Sequence, residues 1–141
     1  VGTSDLVKDL HARHTPDRHE TLLARSMAVL AARAHGLAVL DGVHLDLDDD
    51  AGLAAACRQG RDQGFDGKTL IHPKQIAAAN TAFAPTEAEL ASARKRLDAW
   101  RAAQAAGQGV AVVDGALVEN LHAAEAERLL ALAAAIAAAD A

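Results

Sequence analysis

The chain has 141 residues, with 14 Lys and Arg against 19 Asp and Glu, which gives a formal net charge of -5. This length is sufficient for one domain with a substantial core. The sequence has no basic stripe to neutralise phosphates, so we expect no nucleic-acid partner. No apolar run approaches the ~20 residues of a membrane-spanning helix, so we expect no membrane segment.

The cysteine content and the first residue set two further expectations. Cys57 is the single cysteine, so no disulfide can form within the chain, and we expect a cytoplasmic protein in a reducing environment. The sequence begins with Val1 rather than Met. We therefore expect a processed chain or a piece of a longer one.

Strand and helix signals alternate through the first half. Residues 1–10 resemble the end of a strand that turns into a short helix, and residues 11–18 form a polar loop. A helix is predicted for Glu20–His35, where apolar residues recur at helical spacing and Gly36 follows. Residues 37–45, LAVLDGVHL, are predicted as a buried strand.

The segment GFDGKTLIHPKQI, residues 64–76, is the most distinctive stretch. It follows a helix predicted from the acidic run at residues 48–50 to about Gln63. Two glycines precede a buried strand predicted for Lys68–Ile71, and the dipeptide His72-Pro73 ends that strand. A helix is predicted to begin near Lys74.

This alternation indicates βαβ units and a parallel sheet, and hence an α/β fold. The loops that follow parallel strands meet on one rim, where α/β proteins place their sites. Asp5, Asp41 and His72 all lie at or beside such strand ends. We expect them on the same rim.

The second half has a different organisation. Thr86 with Glu89 three residues later is a capping box, which predicts a helix start. Residues 110–118 predict a hairpin, because Asp114-Gly115 is a favoured two-residue turn, and a last helix follows. A boundary near Ala84-Pro85 divides the chain into predicted domains 1–84 and 85–141.

Three carboxylates are candidates for chemistry. Asp5 can cap a helix or supply an oxygen ligand to Mg²⁺, and the pattern leaves both open. Asp41, inside an apolar strand, must be paired when buried, and structural pairing and functional use stay open. At Glu119, an acid that begins a helix is favoured over a catalytic role by the local pattern.

Five blocks occur in one order: GTSDL at 2–6, ARS at 24–26, LDGV at 40–43, GFDGKTLIHPKQI at 64–76 and DGALVENLHAAEA at 114–126. Through these blocks the chain resembles the C-terminal part of citrate lyase beta-subunit-like proteins. These belong to the HpcH/HpaI aldolase superfamily, which includes malyl-CoA and citramalyl-CoA lyases.

The resemblance implies a fold and an assembly. It implies a partial TIM (β/α)8 barrel in which this chain supplies strands 6–8. It also implies a C-terminal helix–hairpin–helix extension that reaches a neighbouring subunit in a homo-oligomer, a trimer or higher. Five further strands are expected upstream, since a full barrel needs ~200 residues or more.

The resemblance also implies chemistry, namely Mg²⁺-dependent carbon–carbon cleavage of aldol or Claisen type. The implied substrate is a β-hydroxyacyl-CoA thioester such as malyl-, citramalyl- or citryl-CoA. Asp5 matches the family's metal-binding Asp, and Ile71, His72 and Pro73 match a part of the rim that lies along the CoA. Glu119 matches a catalytic acid of the extension, usually Asp, that enters the neighbour's active site.

The family's metal-binding Glu and its substrate-binding Arg have no counterpart here and are expected upstream, so this chain alone is expected to be inactive. Two alternatives remain. One is a non-catalytic fragment or assembly module that docks on a partner chain. The other is a flavodoxin-like domain with a small-ligand site at Asp5 and Asp41.

Overall fold

The computed structural model describes residues 1–139 and divides the chain into two compact units, Val1–Phe83 and Ala84–Ala141. We call these unit 1 and unit 2. The predicted division lies one residue later, between residues 84 and 85. Residues 140 and 141 of the predicted extension lie outside the described residues.

Unit 1 is an α/β arrangement, as the sequence predicts. Its elements in chain order are α1 (Thr3–Asp9), a 3₁₀ turn (His19–Thr21), α2 (Leu22–Ala34), β1 (Leu40–Asp41), α3 (Asp50–Asp62), β2 (Gly67–Lys68), a second 3₁₀ turn (Pro73–Gln75) and α4 (Ile76–Phe83).

The two strands of unit 1 are parallel, with Leu40 opposite Gly67 and Asp41 opposite Lys68. Helix α3 connects them, which is the βαβ unit that the alternation predicts. The strand end predicted at the start of the chain is not a strand. Val1 lies alongside β1 instead, and its nitrogen donates to the Leu40 carbonyl oxygen at 2.8 Å.

The predicted strands 37–45 and 68–71 were too long and only partly buried. Each observed strand has two residues, and Leu37, Leu45 and Ile71 are exposed. The Ile71 N–H donates to the Gln75 side chain at 3.1 Å, so this N–H is not available to continue a ladder. Two strands also leave one face of the sheet uncovered, and apolar side chains there are not buried.

The apolar stripe of α2 is exposed in unit 1. Relative exposure is 75% for Leu23, 60% for Met27 and 71% for Leu30. The helix is placed as the periodicity predicts, but its buried residues are Arg25 and Ala32. Helix α2 therefore uses a charged residue, rather than this apolar stripe, to contact the rest of unit 1.

Helices α3 and α4 form the apolar core of unit 1. Leu53 and Cys57 of α3 pack with Ala79 of α4. Helix α3 begins where the sequence predicts, because the Asp49 carboxylate accepts a hydrogen bond from the Gly52 N–H at 2.8 Å. This N-cap supplies an acceptor to a backbone donor that has none within the helix.

Unit 2 is a helical pair with a hairpin. Its elements are α5 (Glu87–Ala105), β3 (Ala111–Val113), β4 (Ala116–Val118) and α6 (Asn120–Ala139). The strands pair antiparallel, and the two turn residues, Asp114 and Gly115, have φ of 51° and 79°. Positive φ at both positions is the type I′ geometry that fits the twist of a hairpin.

The core of unit 2 lies between its two helices. Its buried members are Ala93, Leu97, Trp100, Val118, Ala123 and Ala126. Small alanines allow α5 and α6 to approach closely, and Trp100 is the largest side chain of this core. No helix within residues 1–139 has the length and apolar character needed to cross a membrane.

The predicted capping box holds the start of α5. The Glu89 N–H donates to Thr86 Oγ1 at 3.2 Å, and the Thr86 N–H donates to Glu89 Oε2 at 2.7 Å. Thr86→Ala removes one of these bonds, so we expect unit 2 to lose about 1 kcal/mol of stability. Trp100 is the single tryptophan, so urea unfolding followed by its fluorescence reports on unit 2. Thr86→Ser keeps the acceptor and should lose much less; an equal loss would contradict this role of the hydroxyl.

Candidate functional site

The Asp41 carboxylate is the centre of a buried polar cluster in unit 1. Asp41 is fully buried. Its Oδ1 accepts from the Gly42 N–H at 2.8 Å. Its Oδ2 accepts from Arg18 at 2.7 Å and lies 3.5 Å from Lys68 Nζ. Arg25 lies 3.9 Å from Oδ1. We call Asp41, Arg18, Arg25 and Lys68 the Asp41 cluster.

The Asp41 cluster places three cationic side chains around one carboxylate. Neutral oxygens satisfy the remaining donors. Those that accept from the two arginines are the Gln59 and Gln63 side-chain oxygens, Thr21 Oγ1 and the Ala56 and Arg18 carbonyls. Lys68 Nζ also donates to the Gly42 carbonyl oxygen. Buried charges are tolerated when they are paired and hydrogen-bonded in this way.

Burial shifts the pKa values of side chains in and beside the Asp41 cluster. Burial lowers the pKa of Lys68, and the charge of Asp41 acts in the opposite direction. Burial, and then the charge of Arg18, lower the pKa of Arg25. Burial raises the pKa of the nearby Cys57 thiol. In each of these three groups, removal from water is the main cause of the pKa shift.

The strand register explains why these residues meet. Asp41 and Lys68 are paired positions on neighbouring strands, so their side chains share a face of the sheet. That face is turned toward α3, because a Cβ on Gly60 would lie 2.9 Å from Asp41 Oδ2. Glycine at residue 60 therefore allows α3 to approach the carboxylate. Of the two readings left open for Asp41, structural pairing is the one that this geometry shows.

Gly42 connects the Asp41 cluster to the start of the chain. A Cβ on Gly42 would lie 2.2 Å from Thr3 Oγ1, so the Thr3 side chain occupies that space. Thr3 is buried and opens α1, and Asp5 lies exposed in the first turn of the same helix. Thus Asp5 lies on the segment that packs against the end of β1.

Ile71, His72 and Pro73 follow β2 and are exposed. His72 Nδ1 accepts from the Lys74 N–H at 3.1 Å, which caps the 3₁₀ turn. Gln75 is buried and donates to the His44 carbonyl oxygen at 3.0 Å. This bond connects the loop after β2 to the loop after β1. The exposed residues 71–73 therefore lie close in sequence to a side chain that is held in place.

Glu119 is exposed and immediately precedes α6 in unit 2. Its carbonyl oxygen accepts from the N–H groups of His122 and Ala123, and its own N–H donates to His122 Nδ1 at 3.0 Å. The main chain of Glu119 therefore starts the helix. Its carboxylate is exposed and can meet another molecule.

A second polar group, Asp17, His19 and Glu20, lies at the end of the loop before α2. Within residues 1–139, these three side chains each place a potential metal-ligating atom within 4.8 Å of the other two. His19 Nδ1 lies 2.9 Å from Asp17 Oδ1, and Thr15 Oγ1 lies within hydrogen-bond distance of both carboxylates. Hydrogen bonds from His19 and Thr15 lower the pKa of Asp17 to about 2, and Asp17 raises the pKa of His19.

A groove of about 500 Å³ lies between residues of α3 and α4. Arg58, Arg61 and Thr81 line it together with four alanines. None of the predicted site residues lines this groove. Asp5 lies instead in the first turn of α1, and residues 71–73 lie in the loop that follows β2.

The sequence model of the family described as HpcH/HpaI aldolase/citrate lyase matches residues 1–73. The chain belongs to this family. The match covers every element of unit 1 up to the start of the second 3₁₀ turn, including α1 and the whole Asp41 cluster.

Relatives of the HpcH/HpaI family match almost the whole chain. A (3S)-malyl-CoA thioesterase of Cereibacter sphaeroides is 52% identical over 98% of this chain and 48% of its own length. A citrate lyase subunit beta-like protein of Deinococcus radiodurans is 43% identical over 92% of this chain and 45% of its own length. The chain thus spans about half the length of the curated relatives it matches.

Among solved structures, the CitE protein of Mycobacterium tuberculosis superimposes with a TM-score of 0.79. It is 34% identical, and the match covers 94% of this chain and 50% of that protein. That crystal structure is a complex with magnesium, acetoacetate and coenzyme A.

Sequence reasoning found Asp41 but missed its partners Arg18, Arg25 and Lys68. A signal for two of them was present, since Arg25 lies within the block ARS and Lys68 within GFDGKTLIHPKQI. Arg18 gave no signal, because a loop arginine is ordinarily solvated. Only the fold brings it to a carboxylate 23 residues away.

Removing the central charge should destabilise unit 1 strongly. Asp41→Asn leaves the buried Arg25 and Lys68 and the part-buried Arg18 without a carboxylate, so we expect a loss of about 3–5 kcal/mol. Circular dichroism during urea unfolding measures it. The matched control is Asp66→Asn, since Asp66 pairs with Arg33 at a part-exposed site at 2.9 Å, where about 1 kcal/mol or less is expected. Equal losses in the two variants would contradict a central role for Asp41.

Proposed function

We propose that this chain is the C-terminal part of a cytoplasmic enzyme that acts on a β-hydroxyacyl-CoA thioester, such as malyl-, citramalyl- or citryl-CoA. The observation that carries the proposal is the 52% identity to a malyl-CoA thioesterase, which extends over 98% of the chain and so includes both units. In this proposal unit 1 contributes the last part of a TIM barrel, including β1 and β2, and unit 2 is an extension that contacts a neighbouring subunit.

Two reactions of such a thioester are compatible with these relatives. In carbon–carbon cleavage, the bond between the carbinol carbon and the α-carbon breaks. The hydroxyl loses its proton and becomes a carbonyl, and the α-carbon keeps the electron pair and gains a proton. In hydrolysis, water adds to the thioester carbonyl and the C–S bond breaks to release the thiol. We favour cleavage as the main activity, with hydrolysis as the alternative.

Asp5 is proposed as a ligand of Mg²⁺. Its carboxylate is exposed, and its Oδ2 lies 4.0 Å from the position that a Cβ on Gly2 would take. A single free carboxylate fits Mg²⁺, which takes one or two protein carboxylates and fills its other positions with water and substrate. When bound, Mg²⁺ would polarise a substrate carbonyl oxygen as a Lewis acid. The role of Asp5 is then to hold the ion at the start of α1.

Glu119 is proposed to transfer a proton in the active site of a neighbouring subunit. During cleavage it would deliver the proton that the α-carbon gains, and during hydrolysis it would accept a proton from the attacking water. The Glu119 carboxylate is exposed at the start of a helix, and His122 holds its backbone. It is therefore suited to extending into a neighbouring active site. The glutamate side chain is one methylene longer than aspartate.

Ile71, His72 and Pro73 are proposed to lie along the CoA moiety. Their exposure after β2 supports this role, as does the hydrogen bond from Gln75 that anchors their loop. Ile71 and Pro73 offer apolar contact, and the capping bond engages only Nδ1 of His72.

A second candidate function, a non-catalytic assembly module, is favoured by the exposed α2 stripe of Leu23, Met27 and Leu30. An apolar stripe of this size commonly marks a surface that another protein segment covers. In the complete protein such a module would bind its partner chain but give neither set of reaction products.

The reaction is tested by product analysis on the protein expressed from its complete coding sequence, with malyl-CoA and Mg²⁺. Cleavage yields an α-keto acid, detected as its hydrazone, with no free thiol. Hydrolysis yields free CoA thiol and no keto acid. We expect keto acid, and a fall of roughly 100-fold or more in rate for Asp5→Ala. Asp9→Ala, at the other end of α1, should retain activity. Thiol alone would identify a hydrolase, and neither product would favour the assembly module.

The position of Glu119 is tested by mixing two inactive variants. Asp5→Ala and Glu119→Gln are co-expressed, so that hybrid oligomers form. If Glu119 acts across the interface, sites with an intact Asp5 and a neighbour's intact Glu119 arise, and about a quarter of wild-type activity should return. Glu125→Gln, an exposed acid on α6, is the control and should be active alone. No recovery in a verified hybrid would place Glu119 in its own subunit's site or outside any site.

A further inference from the structure

We propose that Gly42 and Arg18 are positioning residues for Asp5, because they fix the two ends of the segment that carries it. This inference rests on the proposed function, in which Asp5 holds Mg²⁺. The segment runs from Thr3 to Arg18 and includes α1. Neither positioning residue needs to touch the metal or the substrate.

The start of the segment is fixed by close packing against Gly42. The distances from a Cβ on Gly42 would be 2.2 Å to Thr3 Oγ1 and 2.6 Å to Thr3 Cγ2. Any side chain on Gly42 therefore has to displace Thr3. Asp5 lies two residues later in the same helical turn, so a displacement of Thr3 is transmitted to it.

The end of the segment is fixed by the side chain of Arg18. Its guanidinium donates to Gln59 Oε1 at 2.7 Å, to the Ala56 carbonyl oxygen at 3.0 Å and to Asp41 Oδ2 at 2.7 Å. These partners lie on α3 and β1. The backbone of Arg18 has φ of 53°, a left-handed conformation that costs a non-glycine residue free energy. The three side-chain bonds compensate for this cost.

The contacts at both ends of the segment involve the end of β1. The Asp41 carboxylate accepts from the Gly42 N–H through one oxygen and from Arg18 through the other. Lys68 Nζ donates to the Gly42 carbonyl oxygen and lies within reach of Asp41. The two ends of the Asp5 segment are therefore held by the same pair of neighbouring residues, Asp41 and Gly42.

Arg33 is a matched control because its hydrogen bonds connect segments of unit 1 that lie before the strands, away from Asp5. It donates to the Leu37 carbonyl oxygen at 3.1 Å and to Asp66 at 3.0 and 2.9 Å. These partners precede β1 and β2, whereas Asp5 and Arg18 belong to the side where the strands end. Arg33→Lys should weaken the fold without reaching Asp5.

The experiment measures Mg²⁺ binding and thermal stability separately, on the protein expressed from its complete coding sequence and without substrate. Calorimetric titration with Mg²⁺ alone gives Kd, and circular dichroism gives Tm. For Gly42→Ala and Arg18→Lys we expect Kd to rise about 10-fold or more, as when a supporting residue of a metal ligand is lost. Arg33→Lys should lower Tm with Kd unchanged.

The rescue variant Gly42→Ala/Thr3→Gly removes the side chain that the new methyl would strike, so its Kd should return close to the wild-type value. If Asp5→Ala weakens Mg²⁺ binding but Gly42→Ala and Arg18→Lys lower only Tm, the positioning role is wrong and the metal assignment stands. If Asp5→Ala leaves Kd unchanged, both are wrong. A rise in Kd for Arg33→Lys equal to that for Arg18→Lys would show general loosening of unit 1 and would also overturn the inference.

Discussion

The structure of unit 1 depends on a single buried carboxylate. Asp41 is contacted by side chains from the loop before α2, from α2 itself and from β2, so three separate segments of the unit meet at one charge. A two-stranded sheet buries little apolar area, and α2 turns an arginine rather than its leucines toward the rest of the unit. In this unit ionic and hydrogen-bonded contacts determine which segments lie next to each other. The apolar core of Leu53, Cys57 and Ala79 removes apolar surface from water.

That arrangement separates the part of the chain that holds position from the part that is available for chemistry. The members of the Asp41 cluster have hydrogen bonds within the protein, and all of them except the part-exposed Arg18 are buried. The exposed candidates lie close in sequence to groups that pack or hydrogen-bond within unit 1: Asp5 is two residues after Thr3, and residues 71–73 lie between Lys68 and Gln75. A mobile carboxylate binds a cation poorly, because ordering it costs conformational entropy. Anchoring the backbone on either side of Asp5 reduces that cost before an ion arrives.

The proposed chemistry is divided between the two units. Unit 1 carries the proposed metal ligand and CoA-facing residues, and unit 2 carries Glu119 at the start of a helix that packs on α5. The cores of the two units share no members. This division suits an enzyme in which one subunit completes its neighbour's site, since the extension can be rigid in itself while the barrel supplies the metal. Similarity to the curated relatives extends over both units.

The sequence by itself determined the elements whose causes are local. The capping box at Thr86, the turn at Asp114-Gly115 and the helix periodicity at residues 20–35 each depend on neighbours within a few positions, and the structure places these elements where they were predicted. The family followed from blocks that occur in a fixed order. Strand length and burial did not follow, because they depend on what covers each face of the sheet. The partners of Asp41 also required the tertiary structure. Arg18 reaches Asp41 because the close approach of α3 to β1 at Gly60 brings the partners of Arg18 on those two elements together.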